Sequence, residues 1–167
     1  IKNGSKKYKA SLVSKDFIKS KCYSIYRSAF ESYETFEKLL ARDCFEHAID
    51  NLSEDTEFWG VFEISTNDLV GFSENITRDK ACFYLSIWLL PNAMKKYAGY
   101  VLIHQMNKYY LNEKNCLYVS DGSRSISHAT HVHDFLQSKF GFRKAYSSLN
   151  IAYKPWFGIL VWILFPL

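Results

Sequence analysis

Between Ser127 and Tyr153 the chain runs an amphipathic stretch into Phe140-Gly141-Phe142 and then alternates, a succession that few folds can accommodate. Val132, Phe135, Leu136 and Phe140 recur at helical spacing, Gly141 stands where a left-handed C-terminal cap is wanted, and Phe142 is placed to fold back on the last turn. From Arg143 onward, Ala145, Ser147, Leu149, Ile151 and Tyr153 share one parity, while Lys144, Tyr146, Ser148, Asn150 and Ala152 share the other. A period of two predicts a half-buried strand from Arg143 to Tyr153. A helix that stops on glycine and feeds a strand directly belongs to a sheet covered by helices.

The rest of the chain supplies that sheet. Lys7 to Val13 alternates as a first strand, and Ser14 is a suitable N-cap for a helix from Lys15 to Phe30. A second helix is predicted over Tyr33 to Leu52, where Phe36, Leu39, Leu40, Cys44, Ala48, Ile49 and Leu52 repeat at helical spacing. Glu57 to Ile64 and Leu69 to Ile76 flank the turn residues Ser65 to Asp68 and read as a hairpin, with a further strand over Ala81 to Leu90. Pro91 ends that strand, a long helix follows over Asn92 to Leu111, and Asn115 to Ser120 is the next strand before an exit turn at Asp121-Gly122-Ser123. The predicted order is β-α-α-β-β-β-α-β-α-β. That is a single α/β domain over residues 1–167, with a mixed sheet, helices on both faces, and a parallel crossover from the Ala81 strand to the Asn115 strand.

A chain of 167 residues, 48% hydrophobic, can bury one core but not two ordinary ones. The net charge of +4 comes with acids interleaved throughout, which argues against a nucleic-acid backbone binder. Cys22, Cys44, Cys82 and Cys116 are widely spaced within apolar patterns, the usage of buried, reduced thiols in a cytoplasmic protein. Residues 156–167, WFGILVWILFPL, carry no charge. They are too short to span a bilayer, which takes about 20 residues. They read as a final buried element, with contact to a membrane surface or partner, or a truncated continuation, as the alternatives.

This order, with Pro91, Gly99, the long helix after them and the terminal Lys139-Phe140-Gly141-Phe142-Arg143, resembles the GCN5-related N-acetyltransferase family over about Tyr8 to Tyr153. The resemblance implies acyl transfer from acetyl-CoA, or another acyl-CoA, to an amine acceptor. In that family the loop after the central strand reads Arg or Gln, two residues, Gly, one residue, then Gly or Ala, and its amides hold the coenzyme pyrophosphate. Orphan N–H groups at a helix N-terminus favour phosphate. The matching positions are Met94, Tyr97 and Gly99, so only the last glycine is kept. Lys95 and Lys96 supply positive charge beside it, and the implied coenzyme-binding run is Lys95, Lys96, Tyr97, Ala98, Gly99 and Tyr100. Ser86, Ile87, Trp88 and Leu89 are the positions implied to lie along the pantetheine arm, with a main-chain N–H near Ile87 or Trp88 polarising the thioester. The family's frequent tyrosine acid falls on Gln137, which cannot deliver a proton. The altered loop and Gln137 leave open a non-catalytic ligand- or partner-binding domain as the second reading.

The candidate proton-handling groups are His128, His131, Glu74, Tyr84 and Asp121. His128 and His131, three apart, share a helical face while His133 points elsewhere, so no three-ligand metal site is expected within one helix. Imidazole titrates near neutral pH and suits a general base. Glu74 lies on the hairpin as a carboxylate for deprotonating the acceptor, and Asp121 is placed to orient an amine or a histidine. Arg124 is placed to hold an anion. No cysteine has the setting of a nucleophile, which favours direct attack by the amine.

Overall fold

The computed structural model of the chain describes residues 2–122, 132–146 and 154–164. Its core is a five-stranded sheet in the order β1 (Tyr8–Val13), β2 (Thr56–Glu63), β3 (Leu69–Arg78), β4 (Ala81–Leu89) and β5 (Tyr118–Ser120). The first four strands are antiparallel neighbours, and β5 runs parallel to β4, as the crossover reading requires. The β3–β4 connection is tight: Asp79 and Lys80 have φ of 47° and 60°, the left-handed pair that a two-residue hairpin turn needs.

Ser14 caps the first helix as expected, its Oγ accepting the Phe17 N–H at 3.2 Å. The predicted helix from Lys15 to Phe30 is divided at Cys22 (φ −94°, ψ −13°) into α1 (Lys15–Lys21) and α2 (Tyr23–Phe30). The predicted helix from Tyr33 to Leu52 is corrected to α3, Arg42–Asp50. The two backbone polar groups of Leu40 bond to tyrosines of α2 instead: its N–H donates to Tyr26 Oη and its carbonyl accepts from Tyr23 Oη, both at 3.1 Å. Phe36, counted into the helical pattern, is 95% exposed.

The long helix predicted after Pro91 is also divided, into α4 (Pro91–Lys95) and α5 (Ala98–Lys108), with a π-helical turn over Tyr109–Glu113. That turn delays β5. Cys116 N–H bonds back to the Tyr110 carbonyl at 2.8 Å, so the strand begins at Tyr118 rather than Asn115.

Each face of the sheet buries a core. On one side α5 and α6 (Val132–Phe140) cover Trp59, Val61, Cys82, Tyr84 and Leu89. On the other, α1, α2 and α3 bring Ile18, Tyr26 and Phe45 against Phe58 and Phe72. Close strand approach depends on Gly71, where a Cβ would stand 2.3 Å from Leu89 Cδ2 and 2.9 Å from the Trp88 carbonyl oxygen.

Gly141 has φ of 71° and ends α6 in the predicted left-handed cap, and Phe142 N–H returns to the Leu136 carbonyl at 3.3 Å. Residues 143–146 are not in a strand, and the remainder of the predicted final strand, 147–153, lies outside the described residues. The apolar end forms α7 (Pro155–Leu164), and the expectation of a buried element is corrected: Trp156, Phe157, Ile159, Trp162, Ile163 and Leu164 are all exposed. No helix among the described residues is long and apolar enough to cross a membrane. The cysteines are unpaired, and Cys44 departs from the expectation of burial, standing exposed on α3.

Candidate active site

The site begins with one extra residue in β4. Its register with β3 passes from Asn75↔Tyr84 to Glu74↔Ser86, leaving Leu85 without a partner. Such a bulge bends a strand and re-aims its side chains. Before it, the even-numbered Cys82 and Tyr84 pack in the α5 core; after it, the odd-numbered Ile87 and Leu89 do. Ser86 and Trp88 are thereby turned to the α1–α3 face, where Trp88 stands edge-on to Tyr26 with ring centres 4.9 Å apart. β5 pairs with β4 only at Ala81, Cys82 and Phe83. From Tyr84 to Leu89 the β5-facing edge of β4 has no strand partner among the described residues, so its main-chain groups are available to a ligand. Ser86 Oγ is buried there without a well-formed hydrogen bond.

At the end of this edge stands the N-terminus of α5. Tyr97 precedes it at φ 74°, ψ 16°, a left-handed conformation for a residue with a side chain. The Tyr97 carbonyl closes the first turn, accepting from Tyr100 N–H at 3.2 Å and Val101 N–H at 3.4 Å. The N–H groups of Ala98 and Gly99 precede these bonds and are orphan donors of the helix start. Gly99 lets α5 approach β4 closely, since a Cβ there would lie 3.2 Å from Leu89 Cδ1. Lys95 and Lys96 are exposed just before the turn, while Ala98 is fully buried. Tyr100, placed by sequence in the coenzyme run, packs edge-on to Phe135 of α6 at 4.8 Å and so joins the two helices.

Where β4 and β5 part there is a cleft of about 700 Å³, lined by Ile76, Arg78, Phe83, Leu85, Tyr118 and Asp121 among others. Asp121, leaving β5, brings Oδ2 to 3.1 Å from His133 Nε2 in the first turn of α6. Burial pushes the Asp121 carboxyl up to about 6, against the opposing pull of His133. Tyr84 also borders the cleft, but its hydroxyl donates to Asn107 Oδ1 at 2.6 Å, and burial drives its pKa far above the ordinary tyrosine value. Tyr84 therefore holds its proton. Glu74 lies across the sheet, on the α1–α3 face, as the direct partner of Ser86. Burial raises its pKa, and the neighbouring Ser86 hydroxyl lowers it.

The structure thus brings Asp121 and Tyr84 to the lining of one cleft and leaves Glu74 outside that lining, on the α1–α3 face. His128, His131 and Arg124 lie outside the described residues. Gln137 Nε2 donates to the His133 carbonyl at 3.2 Å, within its own helix. Sequence reasoning passed over His133 because it judged the histidines against one another. The only signal was an aspartate at a strand exit followed by a histidine-rich helix start. Among the described residues no cluster of His, Cys, Asp or Glu could hold a metal ion.

No protein-family model matches the chain, and no curated protein matches it. Solved structures do. The chain is similar to a possible acetyltransferase from Clostridium difficile 630, with TM-score 0.66, 11% identity, and 89% of this chain and 99% of that one covered. It is similar to the ribosomal-protein-alanine N-acetyltransferase of Brucella melitensis, with TM-score 0.64, 14% identity and coverage of 87% and 99%. AAC(6')-Iy, solved with the bisubstrate analogue CoA-S-monomethyl-acetylneamine, aligns with TM-score 0.60, 11% identity and coverage of 88% and 98%. The chain has the fold of the GNAT acetyltransferases.

Proposed function

We propose that this protein is an acyl-CoA-dependent N-acyltransferase that moves an acetyl group from acetyl-CoA to a primary amine by direct attack. The observation that carries the proposal is the edge of β4 from Tyr84 to Leu89, unpaired among the described residues, which runs from the cleft at the β4–β5 divergence to the N-terminus of α5. A pantetheine arm is a chain of amides and pairs with such an edge as a strand would. The positive end of α5, with Lys95 and Lys96, suits the coenzyme's phosphates.

In this reading Ser86, Ile87, Trp88 and Leu89 flank the arm, and a main-chain N–H after the bulge polarises the thioester carbonyl. The acceptor enters the cleft beside Asp121 and His133. His133, whose Nε2 lies 3.1 Å from Asp121 Oδ2, is in this reading the base that takes the ammonium proton. The amine nitrogen attacks the thioester carbon, the C–N bond forms and the C–S bond breaks, and the second proton that the nitrogen sheds on becoming an amide passes through water to the departing thiolate. Neither Tyr84 nor Gln137 is suited to supply that proton. Holding both reactants in line can itself contribute roughly 7 to 11 kcal/mol. No thiol intermediate is needed: burial pushes Cys22 and Cys82 up to about 12, Cys116 is buried, and Cys44 is exposed on α3. Reduced thiols suit the cytoplasm.

The experiment is isothermal titration of the chain with acetyl-CoA, repeated on Lys95→Ala/Lys96→Ala. Binding that weakens in the double variant supports the reading. Absence of binding by acetyl-CoA and by longer acyl-CoA overturns it and leaves a non-catalytic domain.

A further inference from the structure

The cleft where β4 and β5 part has an uneven chemistry. One wall is apolar and half open to solvent: Leu85 is 49% exposed and Tyr118 52%, and the Tyr118 ring stands edge-on to Phe83 at 6.2 Å and 89°. Leu85 reaches this wall only because the bulge lifts it out of register with β3. Exposed aromatic and aliphatic groups gathered at a cleft offer a ligand apolar area to cover. The lining also carries charge. Asp121 is the one half-buried carboxylate among the described lining residues, 3.1 Å from His133. The other lining acid, Asp79, is exposed in the β3–β4 turn, where solvent screens its charge.

We propose that this cleft takes a primary amine with a single positive charge and a flat apolar body, its ammonium at Asp121 and its ring against Tyr118, Phe83 and Leu85. An amine with several charges would find one half-buried counter-ion among the described lining residues and would place its remaining charges against the apolar wall or near Arg78. The geometry therefore selects against polycationic acceptors. The proposal deepens the acyl-transfer reading, on which it rests for the fate of the amine, but recognition of the amine is separable from the chemistry.

The test measures amine binding to the whole chain without coenzyme. 2-Phenylethylamine, ethylamine and spermidine are titrated calorimetrically at pH 7.5. 2-Phenylethylamine is expected to bind about tenfold tighter than either of the others, a difference of about 1.4 kcal/mol. Tyr118→Ala is expected to reduce it to the level of ethylamine, with Leu85→Ala as the second probe of the same wall. Asp121→Asn is expected to weaken both monoamines about tenfold, the loss of one charge-assisted contact. Spermidine binding as tightly as 2-phenylethylamine, or an aromatic preference that survives both wall variants, would overturn the proposal. If acetyl-CoA fails to bind while the amine preference holds, the acyl-transfer reading falls and the amine site stands.

Discussion

His133 Nε2 lies 3.1 Å from Asp121 Oδ2, joining the exit of β5 to the first turn of α6. The contact has an energetic sign as well as a chemical one. Burial raises the Asp121 carboxyl to about 6, above the ordinary aspartate value near 3.9. Between those two values the folded chain holds more protons than the unfolded one, so stability falls as pH rises from about 4 to 6. Asp121→Asn removes the buried charge. It is expected to raise the melting temperature at pH 7 relative to the parent, with the gain vanishing near pH 4, while amine binding weakens. Thermal melts across pH 4 to 8 check this, and a parent curve that rises through that window would refute it.

Tyr84 is a test of which groups handle protons. Its hydroxyl is committed to Asn107 at 2.6 Å and its ionisation is strongly opposed by burial. Tyr84→Phe is expected to cost about 1 kcal/mol of stability. The pH profile of acyl transfer should stay in place and turnover within about threefold, less than the 10² or more that loss of a general acid or base brings. A larger loss would return Tyr84 to the catalytic set.

Tyr97 stands in the left-handed region without being glycine. Its ring packs edge-on to Tyr100 at 5.6 Å, so a substitution removes both contact and strain unless the two are separated. Comparing Tyr97→Ala with Tyr97→Gly separates them, since both lose the ring and only glycine relieves the backbone. The glycine variant is expected to be the more stable by about 1 kcal/mol in urea denaturation. Equal stabilities would mean that position 97 carries no strain.

Gly71 and Gly122 differ in what a methyl group would meet. At Gly71 it meets Leu89 at 2.3 Å and backbone at 2.9 Å; at Gly122, with φ 71°, it meets nothing within 4 Å among the described residues. Gly71→Ala is expected to destabilise the chain by about 2 kcal/mol through overpacking, and Gly122→Ala by about 1 kcal/mol through backbone strain alone. Denaturation midpoints would rank them in that order.

Much of the frame was legible in local chemistry. Ser14, the turn between Ser65 and Asp68, and Gly141 each act through atoms a few residues apart, and each does in the structure what its type suggests. The failures share a different cause. Leu40 leaves the helical pattern because two tyrosines of another element bind its backbone. The bulge at Leu85 hides in ACFYLSIWLL, where both parities are apolar and a shift of one residue leaves no mark. His133 gains its place from Asp121, which belongs to a different element. Such pairings are written in the tertiary fold, not in spacing along the chain.

The bulge gives the second half of β4 one residue to spare. Tyr84 and Ser86 already pair with the consecutive residues Asn75 and Glu74, so deleting Leu85 would restore strict alternation and leave the four residues after it on the faces they now hold. Ile87 and Leu89 would stay in the α5 core, with Ser86 and Trp88 opposite them. Counting Leu85 into the ladder with nothing removed would instead exchange those faces. What the extra residue adds is the bend of the strand and its own side chain at the cleft. It serves the site rather than the packing, and the strand could lose it and keep its core.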